Sequence, residues 1–128
     1  LIVTSPPYGG TYDYVDHHQR RFAWLGIDPR RFERAEIGAR RRNDDPIRFE
    51  RELFDMLGGF RQALKPGGMA VVLMGDAHYD GEIVPADDLV ADLAEQQGFT
   101  PVAVASQPRR EPGGGPPRRE HLMALRLG

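Results

Sequence analysis

The segment from residue 45 to residue 74 constrains the fold most, because it joins a helix signal, a tight turn and a buried-strand signal. Asp45 suits the N-cap of a helix and Pro46 its first position. An apolar stripe at three- and four-residue spacing follows, formed by Phe49, Leu53, Met56, Leu57, Phe60 and Leu64. The Lys-Pro-Gly-Gly sequence at 65–68 ends this helix, and the continuous apolar run 69–74 has the character of a buried strand. This order predicts an α/β fold with parallel strands.

The remainder of the 128-residue chain continues the alternation of strands and helices and predicts one small domain. We expect a strand at residues 1–4, helices at 12–25 and 86–97, a short helix with a polar loop in 28–45, strands at 101–106 and 121–127, and a loop at 108–119. Leu1, Ile2 and Val3 are expected to be buried. Phe22 and Trp24 are expected to belong to the core, with base-stacking platforms as the alternative. The predicted architecture is a set of parallel strands closed by a terminal antiparallel hairpin.

A rigid, polar segment follows the first strand. Pro6 and Pro7 cannot donate to a strand ladder, so the strand ends at about Thr4, and Gly9 and Gly10 then allow a turn. The intervening residues present a hydroxyl, main-chain carbonyls and a phenol ring at the carboxyl edge of the sheet. Open α/β sheets bind their ligands at this edge. We therefore expect the functional site here.

Composition excludes some classes of function and leaves others open. The chain has no cysteine, which excludes disulfides and thiolate zinc sites, and it has neither a long apolar run nor a signal-peptide pattern. We expect a soluble cytoplasmic protein with no membrane partner. The net charge is −2, but all but one of the 17 basic residues are arginine, and they lie in clusters. These clusters indicate either nucleic-acid contacts or the codon usage of a GC-rich genome.

Three features together resemble the carboxyl half of a class I S-adenosylmethionine-dependent methyltransferase: Ser-Pro-Pro-Tyr after a strand, Lys-Pro-Gly-Gly before a strand, and a closing pair of strands. Residues 4–8 resemble the catalytic motif of enzymes that methylate exocyclic amines of bases. Serine in the first position is similar to the enzymes that act on cytosine N4 in DNA. The resemblance implies a partial Rossmann-like fold, S-adenosylmethionine as cofactor and nucleic acid, DNA rather than RNA, as substrate.

The same resemblance implies roles for individual residues. The Ser5 hydroxyl and the Pro6 carbonyl would orient the amine by accepting hydrogen bonds from its N–H groups. Tyr8 would stack on a base extruded from the nucleic-acid duplex. The predicted site residues are Ser5, Pro6, Pro7 and Tyr8 for catalysis, Ser5 and Pro6 for the cofactor, and Tyr8, Gly9, Gly10 and Tyr12 for the substrate. No metal is expected.

The sequence departs from that family in one respect. A complete enzyme carries a glycine-rich loop that leads into a helix and holds the cofactor, whereas the glycines at 113–115 are followed by prolines. The chain also begins inside a strand without methionine. We therefore expect a fragment, inactive alone, whose amino-terminal half or partner chain supplies the cofactor site. The alternatives are a non-enzymatic fragment that binds nucleic acid or docks on a partner, and an RNA methyltransferase acting, for example, on guanine N2. A third alternative is methylation of a protein amide, but Ser5 counts against it because the resemblance implies asparagine in that position.

Three further clusters have competing interpretations. Asp16, His17 and His18 indicate a solvated helix face or, with the arginines that follow, a substrate-contacting helix. The segment 76–81 is predicted to be a loop at the carboxyl end of the second strand. It lacks the ligand pattern of a calcium loop, but its position leaves Asp76 and His78 as candidates for lining the pocket. The segment 109–119 indicates a mobile hairpin tip or a nucleic-acid clamp.

Overall fold

The computed structural model of the chain describes residues 1–10, 13–38, 45–109 and 117–128. The strands are β1 (Ile2–Thr4), β2 (Met69–Gly75), β3 (Ala77–Tyr79), β4 (Glu82–Val84), β5 (Phe99–Arg109) and β6 (Arg118–Leu127). The helices are α1 (Tyr14–Leu25), α2 (Arg30–Ala35), α3 (Pro46–Ala63) and α4 (Ala86–Gln96). The mixed α/β prediction is confirmed. None of the helices in these ranges is both long and apolar enough to cross a membrane.

A four-stranded sheet organises the molecule in the order β1-β2-β6-β5. β1 and β2 are parallel, whereas β6 runs antiparallel to both β2 and β5. The sheet thus contains the predicted parallel pair and the predicted closing hairpin. The carboxyl ends of β1 and β2 lie at the same edge, where a ligand site is expected.

The core lies between one face of this sheet and the helices α3 and α4. Asp45 caps α3 by accepting a 2.8 Å hydrogen bond from the backbone N–H of Arg48. Alternate residues of the two central strands point to the helices and are buried. The fully buried members of this core include Leu53, Leu57, Ala70, Val72, Met74, Val90, Ala94 and Leu125.

The opposite face of the sheet, which we call the open face, is formed by Val3, Val71, Leu73, Ala105, Leu122 and Ala124. Val3 is 71% and Leu122 47% exposed. The prediction that the whole of β1 is buried is therefore wrong, since only Ile2 packs on the core while Leu1 is 82% exposed. The physical reason is that β1 is an outer strand of the described sheet and has helices on one face only.

The closing hairpin is longer than the sequence predicted. β5 and β6 remain paired up to Arg109 and Arg118, so the predicted loop at 108–119 is wrong at both of its ends, and its remainder at 110–116 lies outside the described residues. β5 also carries a register irregularity between Pro101 and Ala103. The ladder therefore brings polar residues at the end of β5 next to the beginning of β6.

A second, two-stranded sheet of β3 and β4 was not predicted. Its turn consists of Asp80 and Gly81, which have φ values of 49° and 84°. Positive φ at both positions is the type I′ geometry that Asp-Gly favours in tight hairpins. This dipeptide is the sequence signal that would have identified the hairpin.

α1 and α2 contact each other through aromatic rings. α1 starts two residues later than the predicted residue 12 and ends at Gly26, which has a φ of 65°. Phe22 stacks on Phe32 of α2 with ring centroids 5.2 Å apart. Trp24 is 88% exposed, so its predicted place in the core is wrong. The pairing of α1 with α2 buries the Phe22 side of the helix and leaves Trp24 on the other side.

Candidate functional site

Backbone hydrogen bonds hold the segment that follows β1 close to the β3–β4 hairpin and to the chain just before α3. The Gly9 carbonyl accepts a 3.2 Å hydrogen bond from the His78 N–H, and the Gly10 N–H donates to the Gly38 carbonyl at 3.1 Å. A Cβ added to Gly9 would lie 2.6 Å from the Tyr79 hydroxyl and 2.7 Å from the ring of Phe49. Only glycine therefore fits at position 9, and its small size lets the segment approach the core.

Ser5 and Tyr8 differ in their surroundings. Ser5 is exposed, Pro6 is buried, and Pro7 and Tyr8 are half-buried. The Tyr8 hydroxyl donates a 2.5 Å hydrogen bond to Oε1 of Glu120. Tyr12, the remaining predicted substrate residue, lies outside the described residues. The other predicted residues form one continuous segment at the carboxyl end of β1.

Glu120 links Tyr8 to the closing hairpin. Its second oxygen accepts a 3.1 Å hydrogen bond from Nε2 of Gln107 on β5. Burial and then the hydrogen bond to Glu120 raise the pKa of Tyr8 to about 12, while a hydrogen bond with Ser5 and the charge of Arg109 act in the opposite direction. The hydrogen bonds from Tyr8 and from Gln107 lower the pKa of Glu120. At neutral pH the phenol is therefore a donor, and it cannot serve as a base.

Arg109 covers one face of the Tyr8 ring. Its guanidinium carbon lies 4.9 Å from the ring centroid, which is a cation–π arrangement. Gly75, at the end of β2, leaves room for both groups, because an added Cβ would lie 2.8 Å from Tyr8 Cδ2 and 3.2 Å from Arg109 Nη1. A base can stack on that face of the ring only after the guanidinium moves aside.

Asp76 and His121 form a separate, buried network on the helix side of the sheet. Asp76 Oδ1 accepts hydrogen bonds from Ala86 N–H at 3.0 Å and His121 Nε2 at 2.9 Å, and its Oδ2 accepts from Arg119 N–H at 2.8 Å. Burial opposes ionisation of Asp76, but the backbone donors and His121 outweigh it and lower the pKa of Asp76. Asp76 is 5% exposed. The expectation that it lines a pocket is wrong, because its side chain turns inward to accept these hydrogen bonds.

The same network contains a group of side chains whose ligand atoms lie within 4.8 Å of one another: Asp76, Asp87 and His121. Such a group is able to hold a cation. Both oxygens of Asp76 already accept backbone N–H groups, however, and His121 Nδ1 contacts the Ser106 hydroxyl at 2.8 Å. The group is therefore a satisfied hydrogen-bond network that joins β2, β5, β6 and α4, and we assign it a structural role.

Sequence reasoning missed the residues that hold Tyr8, namely Gly75, Gln107, Arg109 and Glu120. The last three were missed because both strands of the closing hairpin were predicted too short, at 101–106 and 121–127. Polar residues on both sides of a predicted turn were the available signal, since an extended hairpin places them opposite each other. His78 takes part through its backbone, as described above, rather than through a predicted pocket contact.

No protein-family model matches the chain, and neither does any curated protein. Its fold is similar to the crystal structure of a proposed DNA modification methylase from Thermus thermophilus, with a TM-score of 0.55 and 20% identity over 99% of this chain and 44% of that one. A second solved structure, M1.HpyAVI in complex with SAM, aligns with 98% of this chain and 56% of that one, at 12% identity and a TM-score of 0.37. The chain thus has the fold of a part of the first protein and spans less than half of its length.

Proposed function

We propose that this chain is the catalytic-motif part of an enzyme that transfers a methyl group from S-adenosylmethionine to an exocyclic amine of a base, cytosine N4 in DNA. One observation carries the proposal: an exposed Ser5 and a half-buried, hydrogen-bonded Tyr8 lie together at the carboxyl end of β1. The shared fold with a proposed DNA modification methylase supports it.

In the proposed reaction, Ser5 and Pro6 act on the nucleophile. The lone pair of an exocyclic amine is delocalised into the ring, so the amine is a poor nucleophile until its geometry is fixed. The Ser5 hydroxyl and the Pro6 carbonyl would each accept a hydrogen bond from one N–H group of the amine and so favour a tetrahedral nitrogen. Tyr8 would stack on the base and so fix the orientation of its ring. The phenol would stay protonated because its pKa is about 12. S-adenosylmethionine, when bound, supplies the electrophilic methyl group.

The residues present fit the cofactor only in part. Ser5 provides an exposed hydroxyl at the sheet edge, and Pro6 lies next to it. A Gly-x-Gly-x-x-Gly pattern, which would hold the remainder of such a cofactor, does not occur in the sequence. We therefore assign most of the cofactor contacts to a second unit, which is an amino-terminal half of the same polypeptide or a partner chain.

Two features support such a partner. Within the described sheet, β1 is hydrogen-bonded to β2 on one side only, and the open face leaves large apolar side chains exposed. Uncovered apolar surface next to an outer strand is typical of a site that another element covers. The same features favour the second candidate function, a non-enzymatic fragment that docks on a partner.

The decisive experiment measures methyl transfer by the complete polypeptide encoded by this reading frame. Radiolabelled S-adenosylmethionine is offered with cytosine-containing DNA, the same DNA without cytosine, and RNA. We expect transfer to the first DNA, and Tyr8→Ala and Ser5→Ala should each abolish most of it while the circular dichroism spectrum is unchanged. Thr100→Ala, which removes an exposed hydroxyl from β5, is the matched control. Transfer only to RNA would replace the DNA assignment, and full activity of Ser5→Ala would refute the role of the loop.

A further inference from the structure

The outer face of α1 carries basic and aromatic side chains together. We define the α1 stripe as His17, Arg20, Arg21 and Trp24. These residues are spaced three and four apart, so their side chains neighbour one another on one side of the helix. All of them are exposed, whereas Val15 on the opposite side is buried. The α1 stripe is therefore a continuous surface with an indole at one end.

Arg20, Arg21 and Trp24 of the stripe are not needed for packing within the described part of the chain. Phe22 and Phe32 stack on the inner side of α1, which leaves Trp24 88% exposed. No carboxylate of the described residues forms an ion pair with Arg20 or Arg21. Asp16, at the margin of the stripe, accepts a hydrogen bond from Gln19. An exposed tryptophan beside two arginines has the chemistry that stacks on a base and neutralises phosphates.

We propose that the α1 stripe binds single-stranded nucleic acid, with one base stacked on Trp24 and neighbouring phosphates bound by Arg20 and Arg21. This inference rests on the nucleic-acid substrate of the proposed function and adds a contact surface outside the loop that follows β1. The position is suitable, because α1 begins within a few residues of Gly10 and its first N–H is tied to Glu36. The stripe therefore lies on the element that follows the proposed base-binding segment in the chain.

The test exploits the fact that the chain contains a single tryptophan. Intrinsic fluorescence therefore reports on Trp24 alone, and stacking on a base quenches indole emission. The 128-residue chain is titrated with oligothymidylate and, separately, with an RNA oligonucleotide of the same length. We expect saturable quenching by one or both. Emission that does not change up to high oligonucleotide concentration would overturn the proposal.

Variants then separate the two kinds of contact, with affinity measured by the anisotropy of a labelled oligonucleotide. Trp24→Ala should weaken binding by about 5- to 150-fold, the loss expected for one stacked base. The double variant Arg20→Ala/Arg21→Ala should reduce the slope of log K against log salt by about 1.4, because two phosphate contacts are lost and each contributes about 0.7 on a single strand. Ile47→Ala and Arg61→Ala are the apolar and basic controls, since both residues are exposed and lie on α3 rather than on α1. Equal weakening by variants and controls would refute the stripe.

Two outcomes distinguish this inference from the proposed function. Oligonucleotide binding that depends on Trp24, without any methyl transfer by the complete polypeptide, would support the stripe and count against the enzyme. Methyl transfer that is unaffected by Trp24→Ala and by the double arginine variant would support the enzyme and count against the stripe. If sedimentation shows a dimer that Trp24→Ala dissociates, and the oligonucleotide leaves the emission unchanged, the stripe is a self-association surface and the proposal is wrong.

Discussion

Asp76→Asn is the substitution for which the structure gives the sharpest expectation, because it keeps the volume of the side chain and changes only its hydrogen bonding. Each oxygen of Asp76 accepts a backbone N–H, one from Ala86 at 3.0 Å and one from Arg119 at 2.8 Å. An asparagine replaces one of these oxygens by an NH₂ group. In either orientation of the amide, a donor then faces a donor in a buried site.

The magnitude follows from the hydrogen bonds that the substitution removes. A hydrogen bond to a charged group contributes roughly 1.5–3 kcal/mol, and a buried donor left without an acceptor costs roughly 1–3 kcal/mol. These two figures describe overlapping costs of the same lost contact and do not add in full, so we expect the free energy of unfolding to fall by about 2–4 kcal/mol. With a urea dependence of about 2 kcal/mol per molar, the unfolding midpoint should fall by about 1–2 M.

Urea unfolding followed by circular dichroism measures this effect, and Asp92→Asn, on the outward side of α4, is the matched control. The control should change the free energy of unfolding by less than about 0.5 kcal/mol. A loss below about 1 kcal/mol for Asp76→Asn, or a loss equal to that of the control, would refute the reasoning.

The pH dependence provides a second test of the same residue. The pKa of Asp76 is lower in the folded than in the unfolded chain, so its stabilising contribution is present above the ordinary carboxyl pKa and is lost as pH falls through the folded value. In that window the unfolded chain binds more protons, and the free energy of unfolding should decrease on acidification. Asp76→Asn should make this decrease shallower. An unchanged slope would mean that the carboxylate is not the group responsible.

Three other substitutions test separate parts of the structure. Glu120→Ala should lower the pKa of Tyr8 from about 12 towards its ordinary value of 10.0, but not all the way, because burial remains. Tyrosinate absorbance measures this pKa, with Tyr8→Phe to assign the signal, and a pKa that stays at about 12 would contradict the hydrogen bond. Leu53→Ala, at a fully buried position, should reduce the free energy of unfolding by about 2–5 kcal/mol in urea titrations, and a loss under about 1 kcal/mol would mean that the core collapses around the gap. Asp45→Ala removes the cap of α3 and should reduce the free energy of unfolding by about 0.5–2 kcal/mol. Thermal unfolding measures this loss against Asp45→Asn, which keeps an acceptor.

The sequence predicted the parts of the fold that depend on local signals. α3 begins at Pro46 and ends at Ala63, and β2 begins at Met69, because capping, periodicity and the glycine turn act within a few residues of one another. The position of the segment 5–10 at the carboxyl end of β1 was predictable for the same reason. These features do not depend on contacts between residues that are far apart in the sequence.

What the sequence did not predict depends on contacts between distant residues. Tyr8 and Glu120 are separated by 112 positions, and their hydrogen bond depends on the register of a hairpin whose strands were predicted too short. The exposure of Val3 depends on which elements cover the sheet, which an apolar run alone does not reveal. The turn at Asp80 and Gly81 is different, because its signal was present and was interpreted as a loop.

The outer strands of the described sheet, β1 and β5, do not have the same capacity to accept another strand. β5 contains Pro101 and Pro108, which have no N–H to donate, and its register is interrupted next to Pro101. β1 has neither feature. Any growth of the sheet, whether by ordered assembly or by aggregation during expression, should therefore proceed in one direction only. A proline placed at Val3 should slow aggregation at high protein concentration, whereas changes along β5 should not.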